Sequence, residues 1–296
     1  MHSRVIFITR FLITRFFAVA ALLGCAQLGY AQQSFNPGAR QPGASYDSDF
    51  KNEKPGPAPR HDISGVWEPA LFYSDAVQAI GAKNYPADGK PEHVPPFTPA
   101  GLAEFKKHKV GQGVDAVPTA FVNDPVDICD PQGFPRINLH NFRTSQIAQT
   151  ADQVIVLYQF NKKWRVIWND GRTLPKDPEP LWWGTSAGKW VDDYTFVAQT
   201  VGLDDRTWID NVGRPHSDQM RVEERYHRVD DKHLELTITI DDPVMYTKPW
   251  VALDKLRLRL QSKGFEIQEM ECSPSETNAY NKKLGDTGSM PKSGAK

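Results

Sequence analysis

From about residue 145 onward the chain is a succession of short β-type runs, most of them joined by only a few residues. Residues 221–228 and 233–240 flank Val229-Asp-Asp-Lys232, and residues 251–260 and 265–270 flank Gln261-Ser-Lys-Gly264. Residues 145–149 and 154–160 flank Thr150-Ala-Asp-Gln153, and 189–190 and 194–201 flank Val191-Asp-Asp193. Connections this short cannot carry a crossover, so the strands they join must be antiparallel neighbours. A further run at 165–168 ends on the turn Asn169-Asp-Gly171, and Asp62-Ile-Ser-Gly-Val-Trp67 supplies a first strand. Nine or ten strands are enough to close a sheet on itself and remove its exposed edges. The expected fold is therefore all-β, an antiparallel meander closing into a lipocalin/calycin-like barrel. The Gly65-x-Trp67 pair suits the entry of such a barrel.

The ends read differently. Arg4, Arg10 and Arg15 precede the apolar run Phe16-Phe-Ala-Val-Ala-Ala-Leu-Leu23, and Gly29-Tyr-Ala31 offers small residues before a cut at Gln32. Residues 1–31 are thus expected to be a signal peptide, with export to the periplasm or the medium. Leu22-Leu-Gly-Cys25 is an alternative lipid-attachment box. Residues 32–60, rich in Pro and Gly, read as a flexible leader, and 273–296 as a disordered tail. Between them, 61–272 forms a single domain, in which 68–128 is an elaboration. Five prolines in 84–99 exclude a central strand there, and Thr98-Pro99 opens one short helix to about Lys109.

Removal of residues 1–31 leaves 32 basic against 36 acidic residues, with no basic stripe, so neither nucleic acid nor an anionic membrane is an expected partner. Setting Cys25 aside leaves Cys129 and Cys272. In an oxidising compartment an even pair is expected to form a disulfide; two unbridged buried thiols are the alternative.

Period-two alternation assigns faces. Met220, Val222 and Tyr226 share a parity with Glu224 and Arg228, so Glu224 is expected inside the barrel with Arg228 four residues along. A carboxylate there needs a cation or several donors. Glu224 is the first candidate catalytic base, against a purely structural Glu–Arg pair. Arg172, with Asp170 to orient it, could stabilise an oxyanion at a barrel mouth, or the two could belong to a solvated turn. His216 could relay protons with Asp210 beside it. Trp168, Trp182, Trp183, Trp208, Tyr226, Tyr246 and Trp250 could line a pocket for a ring-bearing ligand, although core packing explains any one of them. Asp170 and His216, each following a strand and about two strands apart, are expected on the same rim.

No zinc-ligand, phosphate-loop or dinucleotide pattern occurs, so no cofactor or metal is expected. Gly184-Thr-Ser-Ala-Gly188 matches the spacing of a hydrolase nucleophile elbow, but that elbow needs a strand-to-helix turn and β signals lie on both sides here.

Several strings resemble a family of exported, largely uncharacterised bacterial β-rich proteins. They are Phe97-Thr-Pro-Ala-Gly101, Cys129-Asp-Pro-Gln-Gly-Phe-Pro-Arg136, Trp168-Asn-Asp-Gly-Arg172, Gly184-Thr-Ser-Ala-Gly-Lys-Trp190, Gly202-Leu-Asp-Asp-Arg-Thr-Trp208, Pro215-His-Ser217, Glu224-Arg225 and Asp242-Pro-Val-Met-Tyr-Thr-Lys-Pro-Trp250. Val191-Asp192 departs from the family pattern. The resemblance implies an exported β-rich protein and carries no activity with it. The expected function is an exported enzyme, an isomerase, lyase or hydrolase, using acid–base chemistry on a small hydrophobic or aromatic substrate in the barrel. The alternatives are a lipocalin-like small-molecule binder without turnover and a cell-envelope interaction protein.

Overall fold

Nine strands close into one barrel in sequence order. They are β1 (Gly65–Pro69), β2 (Ser145–Gln149), β3 (Gln153–Tyr158), β4 (Trp164–Trp168), β5 (Thr185–Trp190), β6 (Thr195–Val201), β7 (Arg221–Arg228), β8 (His233–Asp241) and β9 (Trp250–Leu260). The computed structural model describes residues 41–71, 80–139 and 144–287, and the expected signal peptide and Cys25 lie outside them. The barrel lies within the unit Arg40–Lys296.

Alternation produces the barrel wall as expected. Along β8 the residues Leu234, Leu236, Ile238 and Ile240 are buried, and β7 buries Val222, Glu224, Tyr226 and Arg228 on one face. β1 closes the sheet by pairing Trp67 with Leu260 of β9. That pairing explains a difference from expectation. Residues 265–270, read as a strand, form none; Met270 alone makes a single bridge, to Phe160. With the β9 edge already taken by β1, no ladder is open to a tenth strand.

A second difference changes the topology. β4 and β5 pair in parallel, Ile167 with Ser186 and Trp168 with Ala187. Residues 169–184 between them must therefore run the length of the barrel, and the meander is interrupted once. Every other pairing between the nine strands is antiparallel. The crossover decides which loops share a rim. One rim gathers the β2–β3, β5–β6 and β7–β8 turns together with the end of β4. The opposite rim gathers the β3–β4 turn, the entry to β5, residues 202–220 and residues 242–249.

Among the described residues three α-helices accompany the barrel: α1 (Pro99–Phe105), α2 (Arg136–Leu139) and α3 (Pro274–Thr287). Thr98 caps α1 by accepting from the Gly101 N–H at 3.0 Å, and the helix ends earlier than its apolar stripe implied, at Phe105. Gly101 packs against the Met245 carbonyl so closely that any side chain there would collide with backbone. α2 is buried along its whole length, and Phe134, Ile137 and Leu139 join the hydrophobic core, so residues 132–139 act as a plug at the second rim. Phe134 N–H donates to the Trp182 carbonyl there at 3.1 Å. The Cys129–Cys272 disulfide is formed, with Cα atoms 5.6 Å apart, and ties the start of this plug to the residues leading into α3.

Two segments expected to lack structure have it among the described residues. Pro274–Thr287 is helical. Residues 41–60 form a strap on the outer face of the barrel, with Tyr46 only 3% exposed. Composition misled here because a few anchors, Tyr46, Asp47 and Glu53, hold a segment that is otherwise polar.

Candidate functional site

Among the described residues the barrel interior holds one buried cluster of several polar side chains. Glu224 is fully buried, and its Oε2 accepts from Arg165 Nη2 at 2.6 Å while its Oε1 accepts from the Tyr226 hydroxyl at 2.7 Å. Arg165, on β4, also donates through Nη1 to Thr200 Oγ1 at 3.1 Å and to Ser186 Oγ at 3.4 Å, and those two hydroxyls lie 2.8 Å apart. The ring of Phe134, from the plug, stacks on the guanidinium at 3.9 Å. Four strands and the plug thus contribute to one buried polar cluster.

Its partner differs from the expected one. Residues four apart on a strand lie about 13 Å apart at the normal rise, beyond ion-pair reach. Arg228 shares the inward parity of Glu224 but stacks on Trp67 at 4.6 Å and donates to the Asp230 and Asp231 carbonyls at 3.0 Å each. Glu224 takes its cation from across the sheet instead. The missed residue, Arg165, sits on a strand whose two faces are both largely apolar, so parity gave no direction for it.

Burial works against the Arg165 charge, but the Glu224 carboxylate outweighs it and holds the guanidinium above its ordinary pKa. Burial, with the Glu224 charge nearby, pushes the Tyr226 phenol well up. Tyr158, inward on β3, is pushed up to about 12, chiefly by burial. Both phenols therefore remain protonated. The Tyr158 hydroxyl makes no well-formed hydrogen bond among the described residues, Arg165 and Asn138 being the polar side chains that interact with it, and Arg165 Nε has none either. Tyr158 borders a space lined also by Ile137, Asn138, Thr144, Gln159 and Phe160. The room there for a water-sized sphere is about 10 Å³, enough for roughly one water. Trp183, in the crossover just before β5, lies nearly parallel to the Tyr158 ring at 5.9 Å.

The remaining candidates are dispersed. His216 is buried, with Nε2 2.7 Å from Thr207 Oγ1 and Nδ1 3.1 Å from the Ser217 carbonyl. A carbonyl can only accept, so Nδ1 carries a proton, while Nε2 faces the Thr207 hydroxyl, whose one proton also has the Asp204 carbonyl within reach at 3.1 Å. Burial holds the His216 pKa below its ordinary value. Asp210 does not orient His216. It accepts from Arg214 Nη1 at 2.5 Å and from the Ala82 N–H at 2.9 Å, closing the 202–220 loop on the elaboration.

Asp170 and Arg172 form a self-contained exposed pair, with Nη2 to Oδ2 at 2.6 Å and the guanidinium 3.6 Å over the outward face of Trp168. The Asp170 carboxyl is held below its ordinary value by the Arg172 hydrogen bond. The pair follows β4 at the first rim, whereas His216 lies in 202–220 at the second. The expected common rim is therefore overturned, because the parallel crossover adds a traverse that strand counting did not include.

The aromatic candidates divide similarly. Tyr226 belongs to the cluster and Trp183 adjoins it. Trp182 is half-buried beneath Arg206 at 4.4 Å. Trp208 packs between the His108 ring at 4.5 Å and the Arg136 guanidinium at 5.6 Å. Tyr246 donates to the Pro215 carbonyl at 2.8 Å and packs on Trp250 at 5.3 Å. Ser186 lies within β5 with its hydroxyl in the cluster, so the Gly184–Gly188 spacing forms no nucleophile elbow. Among the described residues no helix is long and apolar enough to cross a membrane.

No family model matches the chain, and no curated protein or solved structure matches it. The closed barrel agrees with a lipocalin-like architecture, and the resemblance to exported β-rich proteins gains nothing from these comparisons.

Proposed function

We propose that this is an exported, lipocalin-like barrel that binds a small hydrophobic or aromatic molecule through one oxygen acceptor. The observation that carries the reading is the buried Tyr158 hydroxyl, which sits by Arg165 and Asn138 without a well-formed hydrogen bond. A buried hydroxyl without a partner costs about 1–3 kcal/mol, and phenylalanine would fill the same space without that cost. Retaining such a group beside the Arg165–Glu224–Tyr226 cluster suits a site in which a ligand supplies the missing acceptor. Catalysis by Glu224, His216 and Arg172 together receives less support. Glu224 already spends both oxygens on Arg165 and Tyr226, His216 is engaged with Thr207, and Arg172 is on the other rim.

The space beside Tyr158 is about 10 Å³, so a ligand must displace part of the lining, and association should be slower than ordinary docking. The test is titration of the purified protein with acetophenone and with ethylbenzene, read by tryptophan fluorescence, with Trp183 as the nearby reporter. Wild type should bind acetophenone about tenfold more tightly than Tyr158→Phe does, as one hydrogen bond of about 1.4 kcal/mol implies. Ethylbenzene should not distinguish the two proteins. Tyr158→Phe should also be more stable than wild type by about 1 kcal/mol. Equal acetophenone affinities, or a destabilised Tyr158→Phe, would remove the basis for this reading.

A further inference from the structure

The strap of residues 41–60 is fastened through one histidine in an unusual setting. His233 begins β8, and its side chain is 4% exposed on the outer face. Its Nδ1 lies 2.8 Å from both oxygens of Asp230, and its Nε2 lies 2.9 Å from Asp47 Oδ1 of the strap. Carboxylates only accept, so both contacts are attractive only when both ring nitrogens carry protons. We propose that His233 is a charge-dependent latch: its doubly protonated ring pins the strap to the outer face of β8 and β9, and loss of one proton releases it.

The other groups facing this point favour the docked state from several elements. Arg259, beside His233 in the β8–β9 register, donates to Asp47 Oδ1 at 3.0 Å and to Glu53. Arg257 reaches Asp47 at 3.7 Å. Glu68 of β1 is the register neighbour of Arg259, and Lys232 pairs with Asp231 at 3.0 Å on the adjoining turn. Burial raises the Asp47 pKa, but hydrogen bonds from His233 and Arg259 outweigh this and hold it below the ordinary carboxylate value. Asp47 therefore remains ionised, and the number of protons on the ring decides whether the contact attracts. When the ring is neutral, one nitrogen presents a lone pair to a carboxylate oxygen, and the contact turns repulsive. The remaining strap anchors are Arg259 with Asp47 and Glu53, the Asp47 N–H on the Ala70 carbonyl, the buried Tyr46, Ser45 with Gln261, and Gly56 with Asp231. Release would uncover the Arg259 guanidinium next to the neutral His233 ring and the already exposed Arg257.

The test is amide hydrogen exchange of the full chain at about pH 5.5 and about pH 8.5, corrected for intrinsic rates and read separately for the strap and for β7. Strap amides should lose protection by about tenfold or more at the higher pH, while β7 amides lose none there. Asp47→Asn is the decisive variant, because its amide both donates and accepts and serves a neutral or a charged ring. Its strap protection should be the same at both pH values. The variant alters the strap alone, so the barrel remains as a folding control. Equal strap protection in wild type at both pH values would overturn the latch. So would an identical pH response in Asp47→Asn, or a loss of protection shared with β7.

Discussion

Glu224→Gln separates the two roles that the buried cluster could have. The Glu224 side chain is 0% exposed and that of Arg165 is 2% exposed, so neither charge has water to fall back on. Glutamine preserves shape and the Tyr226 contact but leaves the Arg165 guanidinium without its anion. Breaking a buried pair from one side costs about 3–5 kcal/mol. At about 2–4 °C per kcal/mol for a domain of this size, the unfolding midpoint should fall by about 6–20 °C. Replacing the whole network behaves differently. In Arg165→Met/Glu224→Leu/Tyr226→Phe no member of the Arg165–Glu224–Tyr226 network remains unpaired, and Ser186 and Thr200 keep their mutual contact of 2.8 Å. Such replacements are often neutral or stabilising by about 1–4 kcal/mol. Urea unfolding followed by tryptophan fluorescence, with the disulfide intact, measures both proteins. The expected pattern is a large loss in the single variant and recovery in the triple. A Glu224→Gln protein within about 1 kcal/mol of wild type would refute the claim that the pair is desolvated. A triple variant weaker than the single would show that the cluster is held for stability, which removes part of the case for a binding site.

Three further outcomes are expected. Burial depresses the pKa of His216 and that of His108 in the folded state, so the unfolded chain binds protons first as pH falls. Their contribution is complete above about pH 6.5 and is lost as pH drops below it; urea midpoints across that range should fall, and His216→Gln should flatten the slope. Cys129 and Cys272 are 143 residues apart, and replacing both by serine should cost up to about 5 kcal/mol in the chain-entropy picture, with amide protection lost first in α3 and residues 130–139. Arg172→Ala should change stability by less than about 0.5 kcal/mol and leave acetophenone binding unaltered; weakened binding would place the site at the wrong rim.

How much of this was legible in the chain depends on whether its residues contradict one another by face. Along 221–228 and 233–240 apolar and polar residues alternate, so strands, register and the inward position of Glu224 all follow from period two. Along β3 and β4 both parities are apolar. Ile155 and Leu157 alternate with Val154, Val156 and Tyr158, and Trp164, Val166 and Trp168 alternate with Arg165 and Ile167. Pattern alone could not say that Tyr158 and Arg165 point inward, and these complete the cluster. The signal that could have found Arg165 is chemical: an interior carboxylate demands a cation, and no cation on its own strand was within reach. The strap was hidden for a different reason. A docked segment needs few apolar residues when buried ion pairs carry the contact, so composition reported Pro and Gly and missed Asp47.

The crossover shows why the strand count was nearly right while the site geometry was not. Residues 169–184 join two neighbouring strands, and the turn signal at Asn169-Asp-Gly171 is real, yet it reverses the chain onto the outside of the barrel rather than into a hairpin. Sixteen residues at about 3.3 Å each could extend over roughly 50 Å, ample to run back along strands of five or six residues. That one return makes β5 parallel to β4 and moves every later loop to the opposite end from the one expected. Asp170 and Arg172 are thereby separated from the 202–220 loop, and Trp183 is delivered to the plugged rim beside Tyr158. A reading of faces survives such an error, because parity is set strand by strand. A reading of rims does not, because each rim assignment inherits every connection before it. The inward residues Glu224, Tyr226, Arg165 and Tyr158 consequently form the site that the barrel can offer, and the loop residues first set beside Glu224 belong to the shell that supports or merely decorates it.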